Sequence, residues 1–254
     1  MLMARVIPVL LLRGEGLVKT RNFKDPRYVG DPINAVRIFN EKEVDELIFL
    51  DITASREERR PNFEMVQKIA SECFMPLGYG GGVRTVEDAG RLFSIGVEKI
   101  IVNNAALRST KLIEALATRF GSQAIVGAID FKRRALGGHR VFDHCQNAFL
   151  EIDPVAHARR LVDAGAGEIF INSVDRDGTK KGYLVDTIRS LSQAVSVPVI
   201  ASGGAGSLVD IKRAINEGHA SAAAAGAMFV FHGRHDAVLI TYPSRSDIVS
   251  ALSS

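Results

Sequence analysis

Short apolar runs alternate with longer amphipathic stretches along the whole chain. Runs at 6–12, 46–51, 76–80 and 99–103 are followed by others at 124–130, 168–173, 198–202 and 221–226. Each is aliphatic or β-branched and nearly continuous, as parallel strands buried on both faces are. Between them Phe63, Val66, Ile69 and Cys73 recur at helical spacing, as do Leu208, Ile211 and Ile215. Asp31-Pro32 and Asp153-Pro154 predict N-caps followed by proline in the first helical turn, and Thr85…Asp88 and Ser207…Asp210 have the form of capping boxes. Eight βα units are therefore expected.

The two halves repeat. Pro32 recurs as Pro154, Glu46 as Glu168, Pro76 as Pro198, Gly82 as Gly204 and Gly96 as Gly218, always at an offset of 122. Eight βα units in about 250 residues fit a (β/α)8 TIM barrel of the α/β class. The expected organisation is a single domain, 1–254, built from two similar half-barrels of about 1–122 and 123–254. An open doubly wound sheet is the rival arrangement, and a duplicated four-strand unit favours closure.

Composition narrows the function classes. A formal charge of +3 is too small to argue for nucleic acid. The longest apolar stretch, 220–231, is too short to span a bilayer. No signal peptide precedes Arg5, so a soluble cytoplasmic protein is expected. Cys73 and Cys145 lack metal-ligand spacing, so no metal and no cofactor are expected, and Cys73 is assigned to a helix's apolar face. Pro243 leaves an eighth helix in doubt.

In such a barrel, chemistry sits at the C-terminal strand ends and in the loops that follow. Asp51, Asp130, Asp175 and Asp177 stand there, and Asp130 is the strongest candidate because an aspartate closing an apolar run serves packing poorly. Two glycine loops, Gly81-Gly82 and Gly203-Gly204, each run into a capped helix. Glycine lets backbone approach an anion closely, and a helix start presents free N–H groups to it. With Asn103-Asn104 and Gly226 at the matching ends of the fourth and eighth runs, the halves predict a ligand phosphorylated at both ends. The long connection 13–30 carries Arg13, Lys19, Arg21, Lys24 and Arg27, and is expected to be a mobile basic lid. At the opposite face the runs begin with Arg5, Glu46, Lys99 and Glu168. Pointing inward, these four alternating charges would form a salt-bridged ring closing the floor, because unpaired charges there would be costly.

FLDITAS at 49–55, GGGV at 80–83, FGSQAIV at 120–126, DRDGT at 175–179 and ASGGAG at 201–206 resemble the cyclase subunit of imidazole glycerol phosphate synthase, the HisF family, over essentially the whole chain. The resemblance implies a glutaminase docked on the barrel floor, and ammonia passing a gate formed by Arg5, Glu46, Lys99 and Glu168. It also implies a bisphosphate ribonucleotide in the mouth, held by Lys19, Asp177, Gly178 and the glycine loops. That family uses two aspartates as acid and base. Asp130 matches one, whereas the other position holds Leu11, which cannot exchange a proton. Family threonines are replaced by Gly78 and Asn104, a serine by Gly226, and the usual Ser-Gly pattern is missing at 143–147.

Segments 7–12, 40–55 and 71–82 are similar to a divergent branch found beside sugar-modifying amidotransferases. There the implied role is to supply ammonia for acetamidino groups on surface-polysaccharide sugars, with a sugar amidotransferase as a further partner. The alternatives are a working cyclase of histidine biosynthesis, with Glu15 or Asp51 in the second role, and a phosphate-sensing scaffold that activates its glutaminase.

Overall fold

The computed structural model describes residues 4–135 and 137–253. Its barrel strands are β1 (Arg5–Arg13), β4 (Leu47–Asp51), β5 (Leu77–Gly80), β6 (Lys99–Val102), β7 (Ile125–Arg133), β10 (Glu168–Ser173), β11 (Val199–Ser202) and β12 (Ala222–Ala225). The order β1-β4-β5-β6-β7-β10-β11-β12 is parallel throughout, and β12 pairs back onto β1 with Arg5 opposite Ala222. This is a closed eight-stranded (β/α)8 barrel. The open sheet is ruled out.

Helices α1 (Pro32–Glu41), α2 (Phe63–Glu72), α3 (Val86–Ile95), α4 (Lys111–Phe120), α5 (Pro154–Asp163), α6 (Val185–Ser192) and α7 (Leu208–Asn216) wrap the outside. Their starts follow the cap residues. Asp31 accepts from the Asn34 N–H and Asp153 from those of Val155 and Ala156, while Thr85 and Ser207 accept from Asp88 and Asp210. Each such cap is worth about 1 kcal/mol. Cys73 lies just past α2, half-buried against the core.

Strand alternation divides the apolar residues into two cores. Val6, Leu10 and Leu12 pack outward with the helices. Ile7, Val9 and Leu11 point into the lumen, where Ile48, Ile101, Val126, Phe170, Ile200 and Ala224 join them. A side chain at Gly78 would press on Ile48 and Ile101, and one at Gly80 on Leu50 and Ile101. The lumen is therefore lined by hydrocarbon, and glycine at 78 and 80 leaves room that a side chain would take.

Two expectations need correction. The connection 13–30 is a hairpin, with β2 (Gly16–Arg21) antiparallel to β1 and β3 (Lys24–Gly30) antiparallel to β2. Leu17 and Val18 are buried, so the segment extends the sheet where a lid of free loop was expected. The end of the chain does form helices, a short α8 (Ala227–Val230) and then α9 (Arg245–Ser253). Between them the hairpin β13 (Phe231–His232) and β14 (Ala237–Val238) carries the chain outward. Pro243 precedes α9 and so does not interrupt it. Tyr242 fixes the turn, donating its hydroxyl to the Val6 carbonyl at 2.9 Å and packing its ring on Phe39 and Phe229.

Candidate functional site

The C-terminal strand ends open into a cavity of about 570 Å³. Of the residues assigned to the mouth from the sequence, Leu11, Lys19, Asp51, Gly81, Gly82, Asn103, Asn104, Asp130, Asp177, Gly178, Gly203, Gly204 and Gly226 line it, whereas Asp175, Arg21 and Arg27 do not. Gly81 and Gly203, at φ +115° and +85°, occupy equivalent positions in the two halves. A β-carbon at either would strike the backbone oxygen of Asp51 or Ser173, so the left-handed turn and the tight βα junction both require glycine.

Asp130 closes the lumen and is 6% exposed. Three side chains hold its carboxylate. Asn103 donates to Oδ2 at 2.7 Å, Asn172 to Oδ1 at 3.1 Å, and His144 Nδ1 lies 3.2 Å from Oδ2. Burial on its own would lower the His144 pKa, but hydrogen bonds to Asp130 and Cys145, with their charges, raise it to about 10. The His144 turn connects β8 (His139–Asp143) to β9 (Ala148–Phe149), and buried Asp143 caps it by accepting the N–H groups of Cys145 and Gln146 at 2.9 and 3.1 Å. The Arg56 guanidinium donates to the His144 carbonyl at 2.8 Å, and Phe23 meets the ring edge-on.

Leu11 belongs to the lumen cluster and is 9% exposed. Two of the neighbouring carboxylates are engaged elsewhere. Asp51 accepts from the Thr53 and Ala54 N–H groups and from Arg59 at 3.1 Å, so it caps its own loop. Asp177 holds Lys19 at 2.7 Å and Thr20 at 3.1 Å. Glu15 is exposed and lines a separate groove with Arg13, Arg59 and Arg60. Asp175 accepts the Arg133 N–H at 2.8 Å. Asp25 reaches the rim from the hairpin.

Sequence reasoning missed His144, Asn172 and Asp143. Two signals pointed to them: a polar strand end, Asn172-Ser173, in an apolar run, and an Asp-His-Cys sequence in the segment after β7. Asn104, assigned to phosphate, donates its amide to Asp143 at 3.2 Å. Among the described residues no cluster of three or more His, Cys, Asp or Glu is placed to hold a metal ion. No helix there is long and apolar enough to cross a membrane.

At the floor, Arg5 bonds Glu46 and Glu168, and Lys99 reaches the same two carboxylates at 3.0 and 2.9 Å. The signs alternate around a closed ring, beneath the apolar lumen. Each glutamate is almost buried, and each has two cationic partners. This is the pairing that makes a buried charge tolerable.

A closed (β/α)8 barrel with a charged ring below, an apolar lumen, and a buried aspartate beneath two glycine loops defines a class of ligand-binding barrels. Comparison with known proteins places the chain within that class. The histidine biosynthesis protein family model matches residues 5–236. A Pseudomonas aeruginosa protein, provisionally named imidazole glycerol phosphate synthase subunit hisF2, is 54% identical over 243 residues, covering 96% of this chain and 97% of its own. A Leptospira interrogans protein, provisionally named imidazole glycerol phosphate synthase subunit HisF, is 47% identical over 248 residues, covering 97% and 98%. The imidazole glycerol phosphate synthase subunit HisF of Alkaliphilus metalliredigens is 44% identical over 232 residues, covering 91% and 92%. The chain belongs to the HisF family.

Proposed function

We propose that this chain is the barrel subunit of a glutamine amidotransferase complex. It receives ammonia from a HisH-like glutaminase docked on the N-terminal face and delivers it along the lumen for nitrogen incorporation. The observation that carries this reading is Leu11. A hydrocarbon fills the place of one proton-transfer group, while the ring of Arg5, Glu46, Lys99 and Glu168 is complete. Imidazole formation is correspondingly impaired. A role for the delivered nitrogen in acetamidino modification of a surface-polysaccharide sugar, with a sugar amidotransferase as a further partner, fits the divergent mouth. The acceptor is a phosphorylated small molecule, met by the glycine loops, Lys19 and Gly226, in a cytoplasmic complex.

The test uses purified chain, ammonium chloride and the bisphosphate ribonucleotide of the family. Losing one of two proton-transfer groups costs about 10²–10⁴-fold in rate, so turnover should lie that far below a two-aspartate barrel measured alongside. Equal turnover would refute the proposal and support a cyclase of histidine biosynthesis.

A further inference from the structure

Asp130 is not the lone titratable group that the loss of its opposite partner would leave. A second one, His144, is brought to it from a turn 14 residues away, and that turn is built for the purpose. Asp143 is 2% exposed and pins the turn's backbone. Arg56 fixes its carbonyl from the β4–α2 loop, and Phe23 at the tip of the β2–β3 hairpin packs against the ring. Asn103 shares Oδ2 with His144, and Asn172 holds Oδ1. All of Asp130, His144, Asn103 and Asn172 line the cavity. The nearby charges are Asp130 on β7, Asp143 and Cys145 on the same turn, Arg56 from the β4–α2 loop, and Lys24 and Asp25 from the hairpin.

We infer that His144 and Asp130 form a single acid–base couple, on one side of the mouth, that adds ammonia to a polarised carbonyl carbon of the bound acceptor. The inference rests on the ammonia-delivering reading and places the first C–N bond within this chain. In the step, the ammonia lone pair forms the C–N bond and the carbonyl π pair moves onto oxygen. His144 donates its ring proton to that oxygen. That proton leaves from Nε2, because Nδ1 keeps the one it shares with Asp130; the ammonia nitrogen, now positively charged, gives a proton to Asp130, which loses it to water while Nε2 takes one from water. The sum is ammonia plus carbonyl giving a carbinolamine, with both side chains restored. Two aspartates facing each other across a barrel perform two transfers from opposite sides. Here one hydrogen-bonded pair performs both transfers of this addition, while the later ring closure still lacks the proton-transfer group that Leu11 replaces. The elevated affinity of His144 for its proton keeps the donor form loaded at neutral pH.

The test uses the full chain with ammonium chloride and the family's bisphosphate ribonucleotide as probe. His144→Asn keeps a hydrogen-bonding side chain beside Asp130, and should lower the residual turnover by about 10²-fold. Turnover unchanged in His144→Asn, or none in the wild-type chain, overturns the inference. The level of wild-type turnover tests the delivery reading separately from this ratio, so the two can fail independently. A measurement without catalysis accompanies it. In the ¹⁵N spectrum of the histidine rings, His144 should titrate near pH 10 and fall towards about 6.5 in Asp130→Asn. A midpoint that Asp130→Asn does not move would overturn the pairing.

Discussion

Lys19 donates from Nζ to Asp177 Oδ1 at 2.7 Å, joining the β2–β3 hairpin to the loop after β10 across 158 residues of sequence. Both ends are shielded, with side-chain exposures of 5% and 15%. Asn22 adds two bonds from the same hairpin, to the carbonyls of Val174 and Asp175 at 3.2 and 2.7 Å. The hairpin is thus pinned over the mouth. Truncating Lys19 leaves the half-buried Asp177 with only its Thr20 hydrogen bond, which costs about 1–3 kcal/mol. Lys19→Met should lower stability by that order in urea melts. It should also weaken binding of ribose 5-phosphate at least tenfold by calorimetry, because Lys19 is the buried cation of the mouth.

The floor ring makes a second expectation. Glu46 and Glu168 are 2% and 5% exposed and share both cations. Removing Lys99 leaves two nearly buried carboxylates sharing Arg5 alone, so Lys99→Met should destabilise by about 3 kcal/mol. Should the ring also gate ammonia, the same variant should change glutamine-dependent more than ammonium-dependent turnover in the assembled complex. Equal effects on the two would place the ring in folding alone.

His157 on α5 is fully buried, and neither ring nitrogen has a partner among the described residues. Burial, with Arg160 adding to it, lowers its pKa to about 4. Between about 6.5 and 4 the unfolded chain binds a proton that the folded chain excludes. This side chain therefore contributes a loss of stability as pH falls through that window, approaching roughly 3 kcal/mol. His157→Leu removes both the unsatisfied nitrogens and the proton linkage. Its stability should match or exceed wild type at neutral pH and exceed it further near pH 4, measured by urea denaturation. A parallel pH dependence in the two proteins would contradict this.

The barrel was legible because its signals are local. Continuous apolar runs, Asp-Pro starts at 31–32 and 153–154, and the offset of 122 act within a few residues or within a repeat. The hairpin was hidden for a specific reason. Its two-residue turn is Asn22-Phe23, both at positive φ, 53° and 63°. Asparagine signals such a turn but phenylalanine argues against it. The five basic residues then read as a solvated loop, although Leu17 and Val18 carry the strand. The final helix was obscured in a similar way, by a proline that stands before it and not within it. At the site, the glycines and Asp130 stood out by position, and Lys19 through the family resemblance, as residues that line the cavity. His144 did not, because its contact with Asp130 depends on the register of the antiparallel β7–β8 pair and on the turn beyond it. Asp51 was legible as a strand-end carboxylate, but its commitment to Arg59 was not.

We propose above all that Leu11 is what limits imidazole formation in this barrel. Leu11→Asp is the direct measurement, made with ammonium chloride and the bisphosphate ribonucleotide beside the wild-type chain. The account predicts that restoring a carboxylate at this position raises the rate at least tenfold, within the roughly 10²–10⁴-fold that one proton-transfer group supplies. A folded Leu11→Asp protein no faster than wild type would contradict it.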